Sequence, residues 1–193
     1  MSVYGMIFFG ITSLIFIFWY GGKSKPMSKD ELDQYIAALK DAYGVDDISQ
    51  IINGLKELCK DDDGKSFYMV NLMRFKTEYN EELGMTPLEA HKMYGKGITK
   101  ELFKRAGHPI FLSEVTGSFL KDSDSTWDEV GIIRYRSKRD MLKMILNLSD
   151  PELGRYKWAS LEKTDVFPTT LKVNLAFIRI IVITSLFLIS TLL

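Results

Sequence analysis

The chain has 193 residues, 46% of them hydrophobic, and 25 basic against 25 acidic side chains, so its formal net charge is zero. That length suits one ordinary domain with appendages, and nothing in the charge balance suggests a nucleic-acid surface or a polybasic lipid switch. With a single cysteine, Cys59, an intramolecular disulfide and a cysteine-cluster metal site are excluded.

Residues 3–20, VYGMIFFGITSLIFIFWY, carry no charge, and a helix of that length covers about 27 Å, close to the hydrocarbon thickness of a bilayer. The segment reads as an uncleaved transmembrane helix, because no basic residue precedes it and no small-x-small cleavage site follows before GGKSKP. The boundaries expected from this start are a span over 1–22, a linker and helical hairpin over 23–63, an α+β domain over 64–170 and a second span over 171–193.

In the hairpin, Ser28 and Glu31 have capping-box spacing. Leu32, Tyr35, Ile36 and Leu39 follow at the helical period, Gly44 closes the segment, and Ile48, Ile51, Ile52, Leu55 and Leu58 repeat the stripe. The acidic run KDDDG at 60–64 lacks the spaced ligands and terminal Glu of an EF-hand and reads as a solvated turn.

From residue 66 the pattern runs strand 66–75, helix 86–105, strand 109–117, strand 127–135, helix 138–148, a further helix over 151–162, and a last strand near 164–170. TPLE starts the first of these helices with Thr86, Pro87 and Glu89, and Ser137 with Asp140 repeats the device. The order βαββαβ predicts a ferredoxin-like domain, a four-stranded antiparallel sheet with its two main helices on one face. The first strand is apolar on both sides, with Phe67, Met69, Met73 and Phe75 against Tyr68, Val70 and Leu72. Its helix-free face needs cover, and a homodimer is the simplest supplier.

The C-terminal run 173–193, VNLAFIRIIVITSLFLISTLL, reads as a second span, with Arg179 snorkelling to the headgroups or meeting Thr12 or Ser13. Lys23, Lys25, Lys29, Lys163 and Lys172 flank the domain side of the two spans, so the positive-inside bias puts the domain in the cytoplasm. The partners this implies are the lipid bilayer, a second copy of the chain, and either a membrane protein or a small apolar ligand.

The stretches VNLMRFK (70–76), AHKMYGKGI, RAGHPIFLSEV (105–115), WDEVGIIRYRS (127–137) and SDPE (149–152) together resemble an uncharacterised bacterial family of the dimeric α/β-barrel superfamily, over about residues 66–168. The resemblance implies two ferredoxin-like sheets facing each other with a cleft per subunit. Superfamily relatives include cofactor-independent monooxygenases, haem enzymes and isomerases, so the fold leaves the reaction open. The chain departs from the family in three ways: Arg136 stands where a proline is usual, the hairpin is added, and so are both apolar termini.

The motif singles out Asn71, Arg74, Glu114 and Arg134 as polar residues on strands, with His108 at a strand entrance. Asn71 and Arg74 have opposite parity, so a regular strand sends them to opposite faces. One reading is an acid, an amide and a guanidinium that bind a small carboxylate or carbonyl ligand; the other is a structural Glu114–Arg134 cross-strand pair beside a hydrogen-bonded asparagine. His91 and His108 have no i,i+4 partner, so no metal site is expected. His108 reads as surface, as a proton carrier, or by the resemblance as a haem ligand. No nucleophile elbow, phosphate loop or dinucleotide fingerprint occurs, and no cofactor is expected. Two functions remain open: a membrane-anchored dimeric binding or assembly module, and a cofactor-independent enzyme acting on a small apolar carbonyl or phenolic compound.

Overall fold

Strand β1 (Phe67–Phe75) lies inside a four-stranded sheet with β2 (His108–Glu114), β3 (Glu129–Tyr135) and β4 (Leu161–Thr169). All pairings are antiparallel and the order is β2-β3-β1-β4. The computed structural model describes residues 3–21, 25–43, 49–120, 126–148, 151–173 and 184. The helices named among the described residues are α1 (Val3–Gly21), α2 (Lys29–Tyr43), α3 (Ser49–Cys59), α4 (Pro87–Lys104), α5 (Lys138–Asn147) and α6 (Pro151–Ser160). The fold is therefore α+β. Pro109 and Pro168 lie on the two edge strands, where a missing N–H blunts the edge against further pairing.

Alternation along β1 separates two faces. Phe67 stacks on Tyr135 with centroids 5.4 Å apart, and both join Ile36, Leu39, Ile52, Leu55 and Leu142 in one core, with Met69 and Ile133 packed against it. Tyr68, Val70 and Leu72 have the other parity and belong to the face outside that core.

The cap signals act where the spacing puts them. Thr86 accepts from Glu89 N while Glu89 accepts from Thr86 N at 2.8 Å, with Pro87 at the start of α4. Ser137 accepts from Asp140 N and opens α5. At α2 only half of the box forms: Ser28 accepts from Glu31 N at 3.1 Å, but the Glu31 carboxylate turns to Arg139 on α5, 2.9 Å from its Nη2. Charge-assisted bonding wins over a second cap bond, and it holds the Glu31 carboxyl below the usual range.

The acidic turn is more than a solvated loop. Asp62 is almost wholly enclosed, accepts from Met27 N at 2.7 Å and from Gly64 N at 3.2 Å, and lies 3.9 Å from Lys138 Nζ. Gly64 has φ +71°, and a Cβ there would meet the Lys25 backbone, so glycine is required for both conformation and space. The turn thus fastens the linker before α2 to α5.

The expected membrane spans are corrected. Among the described residues, no helix is long and apolar enough to cross a membrane. In α1, Tyr4 and Gly5 at one end and Trp19, Tyr20 and Gly21 at the other leave residues 6–18 between them, roughly 20 Å against about 30 Å of hydrocarbon. Gly10, Thr12 and Ser13 interrupt even that, and the last turn is held by the sheet, as described below. The second expected span, with Asn174 and Arg179, lies almost wholly outside the described residues, as do Gly44 and Ile48 of the hairpin. Among the described residues no span is found, so the positive-inside argument for a cytoplasmic domain has no described span to act on.

Smaller differences concern element ends. β4 starts at Leu161, directly after α6, because Lys76 N bonds Ser160 O and draws the chain onto the sheet at once. β2 ends at Glu114 and β3 begins at Glu129.

Candidate functional site

Strand register decides which of the polar strand residues meet. Arg134 on β3 is opposite His108 on β2 and Tyr68 on β1. Glu114 is opposite Glu129, at the far end of the same strand pair. The expected Glu114–Arg134 pair does not form. Arg74 and Asn71 separate as parity requires: Arg74 Nε binds Glu162 at 3.0 Å and its Nη1 donates to Thr126 Oγ1, whereas Asn71 Nδ2 donates to the carbonyls of Met69 and Gly131. Of the five residues, only His108 and Arg134 are brought together.

What they share is Tyr20, in the last turn of α1. Its hydroxyl is 2.9 Å from His108 Nε2, its carbonyl accepts from Arg134 Nη2 at 3.1 Å, and the Arg134 guanidinium carbon lies 3.7 Å from the centre of its ring. Arg134, only 5% exposed, also donates to Ala106 O at 2.7 Å. Ala106 presents that carbonyl from a left-handed conformation, φ +53°, which costs a residue with a Cβ about 1 kcal/mol or more. Among the described residues no carboxylate pairs with Arg134, so carbonyl dipoles and an aromatic face carry its charge. Next to it, Arg136 donates to Trp19 O at 2.9 Å and grips Asp140 with two bonds. Burial would raise the Asp140 carboxyl, but the bonds from Arg136 and Ser137 outweigh it and hold the group below its ordinary value.

A second constellation lies on the helix face. His91 of α4 puts Nε2 3.2 Å from Glu129 Oε1, with both side chains mostly enclosed, and its ring is 4.8 Å from that of Phe75. Facing a carboxylate, Nε2 donates to it, and Nδ1 is the ring nitrogen left over. That nitrogen is buried and has no hydrogen-bond partner, alone in this among the described side-chain atoms. Such an atom costs about 1–3 kcal/mol unless something satisfies it. Asn71 shares this face through its partner Gly131, two positions from Glu129. The pair escaped sequence reasoning because the rest of α4 and the strand β2 separate His91 from Glu129. The usable signal was a histidine in the first turns of α4 and an acid opening β3. Tyr20 escaped because it ends an apolar run.

Among the described residues no His, Cys, Asp or Glu cluster has metal-binding geometry. Cys59 is buried, and burial pushes its thiol up to about 11, which favours the protonated thiol over the reactive thiolate at neutral pH.

No family model matches the chain, and no curated protein does. Solved structures do resemble it. A protein of unknown function from Rhodopseudomonas palustris, RPA0582, aligns with TM-score 0.57 and 20% identity over 67% of this chain and 98% of its own. Its methylated form aligns with TM-score 0.53 at the same identity, over 79% and 97%. An uncharacterised NIPSNAP-like domain protein from Burkholderia xenovorans aligns at 13% identity over 57% of this chain and 90% of its own, with TM-score 0.36, too low to carry weight. The likeness to the Rhodopseudomonas protein is one of fold and names no activity.

Proposed function

We propose that the protein works as a homodimeric binding module in which the open faces of two sheets meet. The observation that carries this reading is the composition of that face. Val70, Leu72, Val130, Ile132, Phe111 and Phe167 share it by register, and none belongs to the core or packs against it. Phe111 is 50% and Phe167 43% exposed, a high exposure for aromatic side chains in the body of an ordered sheet. Sheets of this kind pack face to face about 10 Å apart. Lys163 and Asp165 occupy alternate positions of the same face on β4, with Lys163 beside Arg74, so charged side chains border the apolar patch as in the rim of an interface. This reading keeps the binding role expected from the sequence and drops its membrane tether. Native mass spectrometry of the full chain at micromolar concentration tests it: a dimer that Phe111→Glu or Phe167→Glu converts to monomer is expected, and a monomeric parent chain rejects it.

The unpartnered Nδ1 of His91 favours one further reading, a cofactor-independent acid–base enzyme for a small apolar carbonyl or phenolic compound. In it His91 takes the proton and Glu129 orients the ring. The test is deuterium exchange from solvent into small aryl ketones. Exchange above the buffer rate that His91→Ala abolishes and Glu114→Gln spares supports the reading; no exchange by the parent chain rejects it.

A further inference from the structure

The last turn of α1 presents three chemical features to the sheet. They are an aromatic ring, a phenolic hydroxyl, and carbonyl oxygens at the negative end of a helix dipole. Each has a dedicated receiver. The ring lies under the Arg134 guanidinium, 3.7 Å from carbon to centroid, and runs beside His108, with centroids 5.8 Å apart and planes 23° apart. The hydroxyl meets His108 Nε2 at 2.9 Å. The carbonyls of Tyr20 and Trp19 accept from Arg134 and Arg136 at 3.1 and 2.9 Å. Phe103 backs His108 at 6.4 Å, and Asp140 fixes Arg136 with bonds of 2.7 and 2.9 Å.

Two features of this seat exceed what fastening a helix end requires. The Arg134 guanidinium is spent on neutral carbonyl oxygens, although guanidinium binds carboxylate about twice as strongly, and Arg136, already on Asp140, turns its remaining Nη1 to a carbonyl as well. Arg134 is nearly buried with no acid paired to it among the described residues, and its sheet neighbour His108 is placed to read a hydroxyl. A left-handed Ala106 is retained to complete the Arg134 cradle.

We propose that Arg134, Arg136 and His108 form a binding site for a phenolic carboxylate, a hydroxyphenyl ring joined by a short chain to a carboxyl group, and that Tyr20 is the chain's own occupant of it. The ligand's ring takes the place of the Tyr20 ring beneath Arg134, and its hydroxyl takes His108. Its carboxylate replaces the neutral carbonyls on the two arginines and lifts the last turn of α1. Binding then competes with α1, and the affinity seen from outside is reduced by the fraction of time Tyr20 fills the seat. This site is on the face opposite to His91 and Glu129, at the end of the sheet face that also carries Val70 and Ile132.

The test is calorimetric titration of the full-length chain with para-hydroxyphenylpropionate. Tyr20→Ala is expected to bind about tenfold tighter than the parent chain. On that background Arg134→Gln or His108→Ala is expected to lose the gain. Phenylpropionate and para-ethylphenol, which lack the hydroxyl and the carboxylate respectively, are each expected to bind more weakly than the complete probe. Equal affinity of the parent chain and Tyr20→Ala overturns the proposal, as does a gain insensitive to Arg134→Gln or one that both partial probes share in full. Should Tyr20→Ala not fold, Tyr20→Phe serves in its place: it keeps the ring and loses the His108 bond, so tighter binding than the parent is expected and unchanged binding overturns the proposal.

Discussion

Glu114 faces Glu129 across β2 and β3, while Arg134 faces His108 at the other end of the same strands. Two carboxylates in register on one face repel by roughly 0.2–1 kcal/mol, and the Glu129 carboxylate is already engaged by His91.

Glu114→Gln is therefore expected to be neutral or to stabilise by up to about 1 kcal/mol. Arg134→Leu leaves two carbonyls without their donor and is expected to cost about 1–3 kcal/mol. The double variant is expected to show the sum of the two effects within about 0.5 kcal/mol. Urea unfolding of the four chains measures this, and a larger coupling means that the two side chains interact.

What was legible in the sequence was local. The Thr86 and Glu89 box, the separation of Asn71 from Arg74 and the apolar faces of β1 all follow from spacing within one element, and spacing is what a sequence states. Register is not local. The pairing of β2 with β3 slips between Pro109 and Phe111, so nothing along either strand says that Glu114 reaches Glu129. The contacts of Tyr20 with His108 and Arg134 bridge 88 and 114 residues of sequence, and they lie at the end of a run whose apolarity also fits a bilayer. The same apolar string served both interpretations, and only the fold distinguishes them.

The acidic turn offers a sharper contrast than its composition suggests. Asp62 is enclosed and bonded to Met27 N, whereas Asp63 is exposed and meets Lys65 and its amide. Asp62→Ala is expected to cost about 1–3 kcal/mol, and Asp63→Ala close to none because exposed pairs contribute little. Gly64→Ala is expected to cost at least about 1 kcal/mol, since it forces a left-handed conformation and a clash with the Lys25 backbone. Equal effects at Asp62 and Asp63 in thermal melts would contradict the role given to the turn.

Cys59 sits in the core between α3 and its neighbours, and burial pushes its thiol up to about 11. At pH 8 the native protein is expected to react with a thiol-specific disulfide reagent on the order of a hundredfold more slowly than the chain in denaturant. Comparable rates in the two states would mean that this core opens readily.

Acid stability follows from carboxylates whose folded values are depressed. Hydrogen bonds from Lys104 and then Arg105 hold Glu101 down to about 2 against an ordinary 4.5, with Lys104 Nζ and Arg105 Nη1 both on the carboxylate. Because the folded value is lowered, the stabilisation is fully present above 4.5 and is lost as pH falls through that value toward 2. Glu31, through Arg139, and Asp140, through Arg136 and Ser137 against its burial, shift the same way and add to the loss. Thermal melts between pH 7 and pH 2.5 are expected to show a midpoint that falls below about pH 4.5, and less steeply in Glu101→Gln than in the parent chain. Added salt is expected to flatten the fall in the parent chain, since the Glu101 cluster is near the surface and is screened. If Glu101→Gln follows the parent profile in parallel, the ion pairs at the end of α4 contribute nothing to acid stability, and the loss belongs to Glu31 and Asp140, which tie the hairpin and α1 to α5.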